Sequence, residues 1–309
     1  MENIKKSEVE EWLKEAEQGN AEARYNLGVM YDKGWGFPKD YANAEKMYRL
    51  AADQGHAVAQ LKLGLVYYKG KGVPRDYAEA AKWFLQCADQ GLAVSQGLLG
   101  TMYHKGKGVP ENNVEAVKWF RLAAEQGHAE GQFKLGLMYD TGLGVSEDEP
   151  EAVKWYRLAA DQGVAKAQAI LGAMYHNGRC FVRSDTEAVK WFLLAANQGH
   201  VEAQFDLGRS YANGEGVPKD DAEAMKWYRL AADQGFAVAQ YNLGVMYAKG
   251  EGLPPDYVLA YMWLNLAEGQ GIEDSSQVKT IIREIMTADQ IAEAQRLSAE
   301  WLQDSTKQD

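Results

Sequence analysis

The chain has 309 residues, of which 46% are hydrophobic and 25% charged, and a formal net charge of −11, a composition ordinary for a folded soluble protein. The acidic balance argues against a nucleic-acid backbone as main partner, because counterion release needs clustered Lys and Arg, and it disfavours an anionic membrane surface. No apolar run of about 18 residues occurs, so no membrane insertion is expected, and the polar stretch Met1–Ser7 does not read as a signal peptide.

Residues 1–20 read as half a repeat that caps a longer array. Val9, Trp12, Leu13 and Ala16 fall at helical spacing. From Ala21 the chain writes one unit seven times. Leu27-Gly28 recurs at Leu63-Gly64, Leu99-Gly100, Leu135-Gly136, Leu171-Gly172, Leu207-Gly208 and Leu243-Gly244, always 36 residues apart. A period of this size indicates a stacked array in which each unit packs on its neighbours. Residues 21–270 are read as the seven repeats.

Each repeat predicts two helices. The first spans about Ala21–Lys33 in the first copy and stops at Gly34, which opens a G-x-G turn and can take φ > 0. The second opens at Asp40, whose counterparts Asp76, Asn112, Asp148, Ser184, Asp220 and Asp256 are all able to cap a helix start. Glu79, Glu115, Glu151, Glu187 and Glu223 come three residues after their caps, the spacing of a capping box. Pro150 falls in a first turn, where its missing amide costs little. The fifth copy departs: Gly178-Arg179-Cys180-Phe181-Val182 loses the second glycine and the proline, predicting a turn of different shape or under local strain.

Residues 271–309 predict a closing hairpin and tail. Val278, Ile281, Ile282, Ile285 and Met286 form an amphipathic stripe, and Thr287 to Gln290 reads as a capping box for a last helix bearing Ile291, Ala294, Leu297 and Trp301. The final residues, 304–309, are polar and read as frayed. The expected total is 17 helices, with no segment alternating as a strand does, an all-α fold of helix-turn-helix repeats.

The motifs A-x-A-Q-x-x-L-G-x-M-Y, G-x-G-V-P-x-D-Y and E-A-x-K-W-Y-R-L-A-A-D-Q-G together resemble the Sel1-like repeat family, a relative of the tetratricopeptide repeat. The resemblance covers residues 21–270 in register. It implies a right-handed α/α superhelical solenoid serving as an adaptor for proteins or peptides. Secreted relatives with a disulfide in each repeat lack a counterpart here.

Constant positions read as core. Gly28 and its equivalents cost about 1 kcal/mol each relative to Ala, implying a close approach of two helix backbones. The bulky residue at frame position 47, Trp in six copies, and the aromatic at 48 recur at core spacing. Variable positions fall on the opposite side of the first helix, the face that commonly lines the concave side of such stacks. Position 26 contributes Asn26, Lys62, Leu98, Lys134, Ile170 and Asp206. Position 29 contributes Val29, Leu65, Thr101, Leu137 and Arg209, and position 33 contributes Lys33, Lys69 and Lys105. This stripe, apolar in its middle and edged with lysines, is the expected partner-binding face for an acidic protein or peptide. The pairs Glu79/Lys82 and Glu115/Lys118 on the second helices read as solvation.

Catalytic signatures are absent from the sequence. His56, His128 and His200 stand 72 residues apart, too far along a stack to share a metal, and no HExxH, CxxC or Walker lysine occurs. No cofactor is expected. Cys87 and Cys180 lie in different repeats, beyond disulfide reach, which fits a reducing compartment. The expectation is a monomeric, non-catalytic cytoplasmic scaffold, with a periplasmic or secreted location if a leader has been removed. The alternative function, an envelope enzyme or glycan-binding protein acting on cell-wall material, would need clustered groove carboxylates, and the stripe offers only Asp206. A self-assembling array is the third option.

Overall fold

The computed structural model describes residues 6–305, and all regular structure among them is α-helical. The expectations placed on residues 1–5 and on the extreme tail, 306–309, lie outside the described residues. The chain divides into two compact units, one ending at Leu158 and the other starting at Ala159. Unit 1 contains α1 (Lys6–Glu17), α2 (Ala21–Lys33), α3 (Tyr41–Ala52), α4 (Ala57–Lys69), α5 (Tyr77–Asp89), α6 (Ala93–Lys105), α7 (Asn113–Glu125) and α8 (Ala129–Thr141). Helix α9 (Glu149–Asp161) carries the boundary. Unit 2 contains α10 (Ala165–Asn177), α11 (Asp185–Ala196), α12 (Val201–Asn213), α13 (Asp221–Asp233), α14 (Ala237–Lys249), α15 (Tyr257–Gly269), α16 (Asp274–Arg283) and α17 (Ala288–Ser305). Within each unit, consecutive helices pack as antiparallel neighbours, and α15 is covered by both α16 and α17.

The helix ends arise from the repeated residues. Gly34 and its six counterparts take φ between 60° and 75° and return an amide to the last turn, Gly34 to the Met30 carbonyl at 2.8 Å. The caps of the second helices are used as expected: Asp76 Oδ1 accepts from Glu79 N at 2.9 Å, and Asn112 Oδ1 from Glu115 N at 3.1 Å. The capping box is only half made. The N–H of each cap donates to a tyrosine carbonyl nine residues back, Asp76 to Tyr67 and Asn112 to Tyr103. The glutamate therefore turns elsewhere. Glu79 accepts from Trp83 Nε1 at 3.1 Å and from Lys82, and Glu151 repeats the arrangement with Trp155 and Lys154. This charged face thus anchors the tryptophans as well as solvating the helix. The reciprocal box does form at Thr287 and Gln290, whose amides and side chains exchange bonds at 2.9 and 3.2 Å.

The constant Leu-Gly pair shapes the core differently from the expectation. A Cβ on Gly64 would lie 2.5 Å from the Phe84 ring, on Gly28 2.6 Å from Tyr48, and on Gly208 2.7 Å from Tyr228. The position-48 side chain of the second helix therefore lies on the glycine, as a ring in six copies and as Leu264 instead of the expected aromatic in the seventh, so the closest approach is of side chain to backbone rather than of two backbones. Backbone is nearly as close in the third and fourth copies, where the Ala116 and Ala152 carbonyls stand 3.2 Å away.

A buried glutamine stitches successive repeats. Gln60 donates to the Ala52 carbonyl at 3.1 Å and accepts from Gln90 Nε2 at 2.7 Å. Gln96 with Ala88 and Gln126 repeats this in unit 1, and Gln204 with Ala196 and Gln234 repeats it in unit 2. Arg24 stands in the glutamine's place in the first copy, and its Nε donates to the Ala16 carbonyl of α1 at 3.0 Å. A second stitch joins Arg121 to the Tyr139 hydroxyl and Arg229 to that of Tyr247.

At the termini, Val9, Trp12 and Ala16 pack against Leu27 and Met30, whereas Leu13 is exposed. The C-terminal stripe is narrower than its spacing predicted. Ile282 and Met286 are buried, but Ile281 and Ile285 are 66% and 59% exposed. Helix α16 stops at Arg283, so the last two members of the stripe leave its frame.

Candidate functional site

The expected binding positions lie on the first-helix face, though less freely than the sequence implied. Position 33 is exposed throughout, but positions 26 and 29 are half-buried. Val29, Leu65 and Leu98 pack partly against the core, and Thr101 bonds back to the Gly97 carbonyl at 2.9 Å. Ile170 and Leu137 are likewise half-buried, and Lys105 is exposed. Three of the charges are engaged. Lys134 pairs with Glu130 at 3.5 Å, and Arg209 pairs with Asp206 at 3.1 Å. Burial raises the Asp206 carboxyl above its ordinary range, against the pull of Arg209, so that acid is already answered by its own helix.

In unit 1 the stripe opens into a pocket of about 180 Å³ between α2 and α4. Lys33, Lys62 and Lys69 line it beside Leu65 and Val66, and Tyr48 forms part of its wall. Asp32 and Lys71 also face it, and they pair with each other at 2.5 Å. Lys33, Lys62 and Lys69 have no carboxylate within ion-pair distance among the described residues. The Tyr48 side chain is 1% exposed, and its hydroxyl has no hydrogen-bond partner. Burial, with the Asp32 charge adding to it, pushes the phenol well above its usual range, so it is a donor at neutral pH.

Unit 2 has a pocket of about 400 Å³ in the same register, between α12 and α14. Tyr228 stands for Tyr48, Asn242 for Lys62, Asn213 for Lys33 and Glu251 for Lys71, while Lys249 keeps the place of Lys69. Every cation lining this pocket has an acidic partner. Lys219 pairs with Asp221 at 3.3 Å, Lys249 with Glu251 at 3.6 Å, and Arg209 with Asp206. Arg209 Nε also faces Glu215 Oε2 at 3.9 Å, an ion pair too long to be a hydrogen bond. Burial pushes the Tyr228 phenol up to about 12, with the nearby Asn242 amide pulling it back.

The position-48 tyrosines therefore differ in how their hydroxyls are satisfied. Tyr156 donates to Asp140 Oδ2 at 3.2 Å, and Tyr228 shares its pocket wall with Asn242. Tyr48 has neither: its Asp32 is drawn to Lys71, and lysine replaces the asparagine. Sequence reasoning treated position 48 as core and missed this. The available signal was the alternation of Tyr with Phe84, Phe120 and Phe192 at that position, since a buried hydroxyl needs a partner that a phenyl ring does not.

The other singled-out residues are structural. His56 and His128 cap α4 and α8, accepting at Nδ1 from Ala59 N at 3.1 Å and from Gly131 N at 3.0 Å, and His200 Nδ1 faces Ala203 N at the start of α12. Among the described residues, no cluster of three or more His, Cys, Asp or Glu could hold a metal, and no helix is long and apolar enough to cross a membrane. The turn at Cys180 keeps its neighbours' shape. Cys180 takes φ 57°, where the equivalent glycines take 71° to 80°. Strain, about 1–2 kcal/mol for an L-residue there, resolves the alternative the sequence left open.

Comparison with known proteins accounts for this frame. Residues 21–56, 57–92, 93–128, 129–164, 165–200, 201–236 and 237–271 each match the Sel1 repeat. The crystal structure of a Sel1 repeat protein from Oxalobacter formigenes is 36% identical, covers 87% of this chain and 78% of its own, and superposes with a TM-score of 0.72. A structure of c5321, a protective antigen present in uropathogenic Escherichia coli strains displaying an SLR fold, is 31% identical over 96% of this chain and 79% of its own, with a TM-score of 0.47. No curated protein matches the chain. With seven consecutive matches and a solenoid of paired helices behind them, the chain belongs to the Sel1 repeat family.

Proposed function

We propose that the protein is a non-catalytic scaffold that holds an acidic segment of a partner protein along its first-helix face. The observation that carries this reading is the set of lysines at Lys33, Lys62 and Lys69, without acidic partners among the described residues and beside the half-buried Leu65, on a chain whose net charge is −11. Positive side chains left unanswered on an acidic protein steer an acidic partner and fix its register, and the apolar residues between them supply contact area. A solenoid of this family suits the role, because its constant residues build the stack and its variable ones face outward.

Affinity capture from the native organism tests this reading. Wild type is compared with Lys33→Glu/Lys62→Glu/Lys69→Glu and with a control reversing Lys82 and Lys118 on the second helices. Loss of one specific partner from the first variant alone is expected. Equal recovery by all three proteins would contradict the proposal.

A further inference from the structure

The unit 1 pocket carries a more specific assignment, which rests on the reading that the first-helix face takes a partner peptide. We propose that the pocket walled by Tyr48 is a seat for one oxyanion of that peptide, a phosphate or a carboxylate, held by Lys33, Lys62 and Lys69 and by the Tyr48 hydroxyl as donor.

Three independent features converge on it. The first is charge. The pocket wall carries four ammonium groups against one carboxylate, and that carboxylate is taken by Lys71. The second is the orphaned hydroxyl. A buried donor without a partner costs about 1–3 kcal/mol, and the same position is satisfied in the fourth repeat by Asp140. Among the described residues, Tyr48 is the one position-48 tyrosine whose hydroxyl is fully buried with its hydrogen bond unmade. The third is donor type. All the cations are lysines, which act as point charges without the planar fork that selects a carboxylate geometry. A tetrahedral oxyanion, which accepts from several directions, suits them as well as a carboxylate does. The pocket in unit 2 supplies an internal control. Its cations are paired, so it has no such seat.

The test uses the full chain at low ionic strength, where such charges are least screened. Inorganic phosphate and acetate are titrated separately while lysine side-chain resonances are monitored by NMR. A phosphoserine peptide, its glutamate analogue and its serine analogue are titrated in parallel. Saturable shifts at Lys62 and Lys69 but not at Lys249 are expected, with affinity falling about tenfold in Lys62→Gln, equivalent to roughly 1.4 kcal/mol. Tyr48→Phe keeps the ring on Gly28 and removes only the donor, so it is expected to weaken the anion about threefold without unfolding the chain. The tighter of the phosphoserine and glutamate peptides identifies the natural oxyanion. Anion shifts that never saturate, or that are unchanged in both variants, would overturn the seat even if the peptides bind elsewhere on the face. Phosphate binding that obeys the variants, with neither acidic peptide binding, would keep the anion chemistry and overturn the peptide reading beneath it.

Discussion

Units 1 and 2 each present a pocket built on the same repeat positions, with a tyrosine ring resting on the glycine of a Leu-Gly pair. The frame is shared, and the chemistry diverges through a few substitutions at variable positions. Where unit 2 has Asn242, Asn213 and Glu251, unit 1 has Lys62, Lys33 and Lys71. Those exchanges leave Lys33, Lys62 and Lys69 without acidic partners in unit 1, while the cations of the unit 2 pocket are paired. A repeat scaffold can thus differentiate its sites without altering its stack, because the exchanged positions are distinct from the Leu-Gly and position-48 contacts that build it.

The largest expected effect strikes both pockets alike. Gly28→Ala and Gly208→Ala each drive a methyl into the ring behind it, with an overpacking cost of about 1–3 kcal/mol that denaturant unfolding would read as a lower midpoint. A tolerated alanine at either site would show that the ring does not need the glycine. The next test separates the pockets. Asn242→Lys crowds a fourth cation into the unit 2 pocket and should lower the unfolding midpoint, whereas Lys62→Asn thins the lysine cluster of unit 1 and should leave the midpoint unchanged or raised. The hydroxyls themselves give a smaller contrast. Tyr156→Phe deletes the bond to Asp140 and should cost about 1 kcal/mol, while Tyr48→Phe should raise the midpoint because it removes a buried hydroxyl whose bond is unmade.

The smallest expected effect lies outside the pockets and concerns pH. Burial lowers the His128 pKa, and its Nδ1 accepts from Gly131 N–H, a bond available only to the neutral ring. The unfolded ring therefore takes up its proton at higher pH than the folded ring. Stability from this site is complete above the unfolded value of about 6.5 and is lost as pH falls from there through the lower folded value. His128→Asn keeps a capping acceptor and should flatten the decline in the urea midpoint between about pH 7 and pH 5. An unchanged slope would assign the decline to other groups.

Much of the fold was legible because its signals are local and repeated. Asp76, Gly70 and the Leu63-Gly64 pair each state a cap, a stop or a close contact within one repeat, and the structure uses all of them. The errors arose where a residue's partner lies outside its own local motif. Glu79 has the spacing of half a capping box, but the Tyr67 carbonyl nine residues before Asp76 takes the amide it would have bonded. Gln60 gave no sign that Gln90 was its partner. The site was less legible for the same reason. Lys33, Lys62 and Lys69 could be placed on one face by helical spacing, but their convergence on Tyr48 depends on the packing of three helices. The engagement of Lys134 by Glu130 and of Asp206 by Arg209 is different: these are i,i+4 and i,i+3 pairs on one helix, legible by the same spacing as Glu79/Lys82.

The most direct measurement exchanges the two pockets' chemistry within one protein. Fluorescence anisotropy of the phosphoserine peptide is compared for wild type, for Lys62→Asn, and for Lys62→Asn combined with Asn242→Lys and Glu251→Lys. If variable positions on a common frame set what each pocket takes, the first variant loses affinity by about tenfold, roughly 1.4 kcal/mol. The combined variant recovers it, with the NMR shifts moved from Lys69 to Lys249. Wild-type affinity in the single variant, or no recovery in a folded combined variant, would contradict that claim.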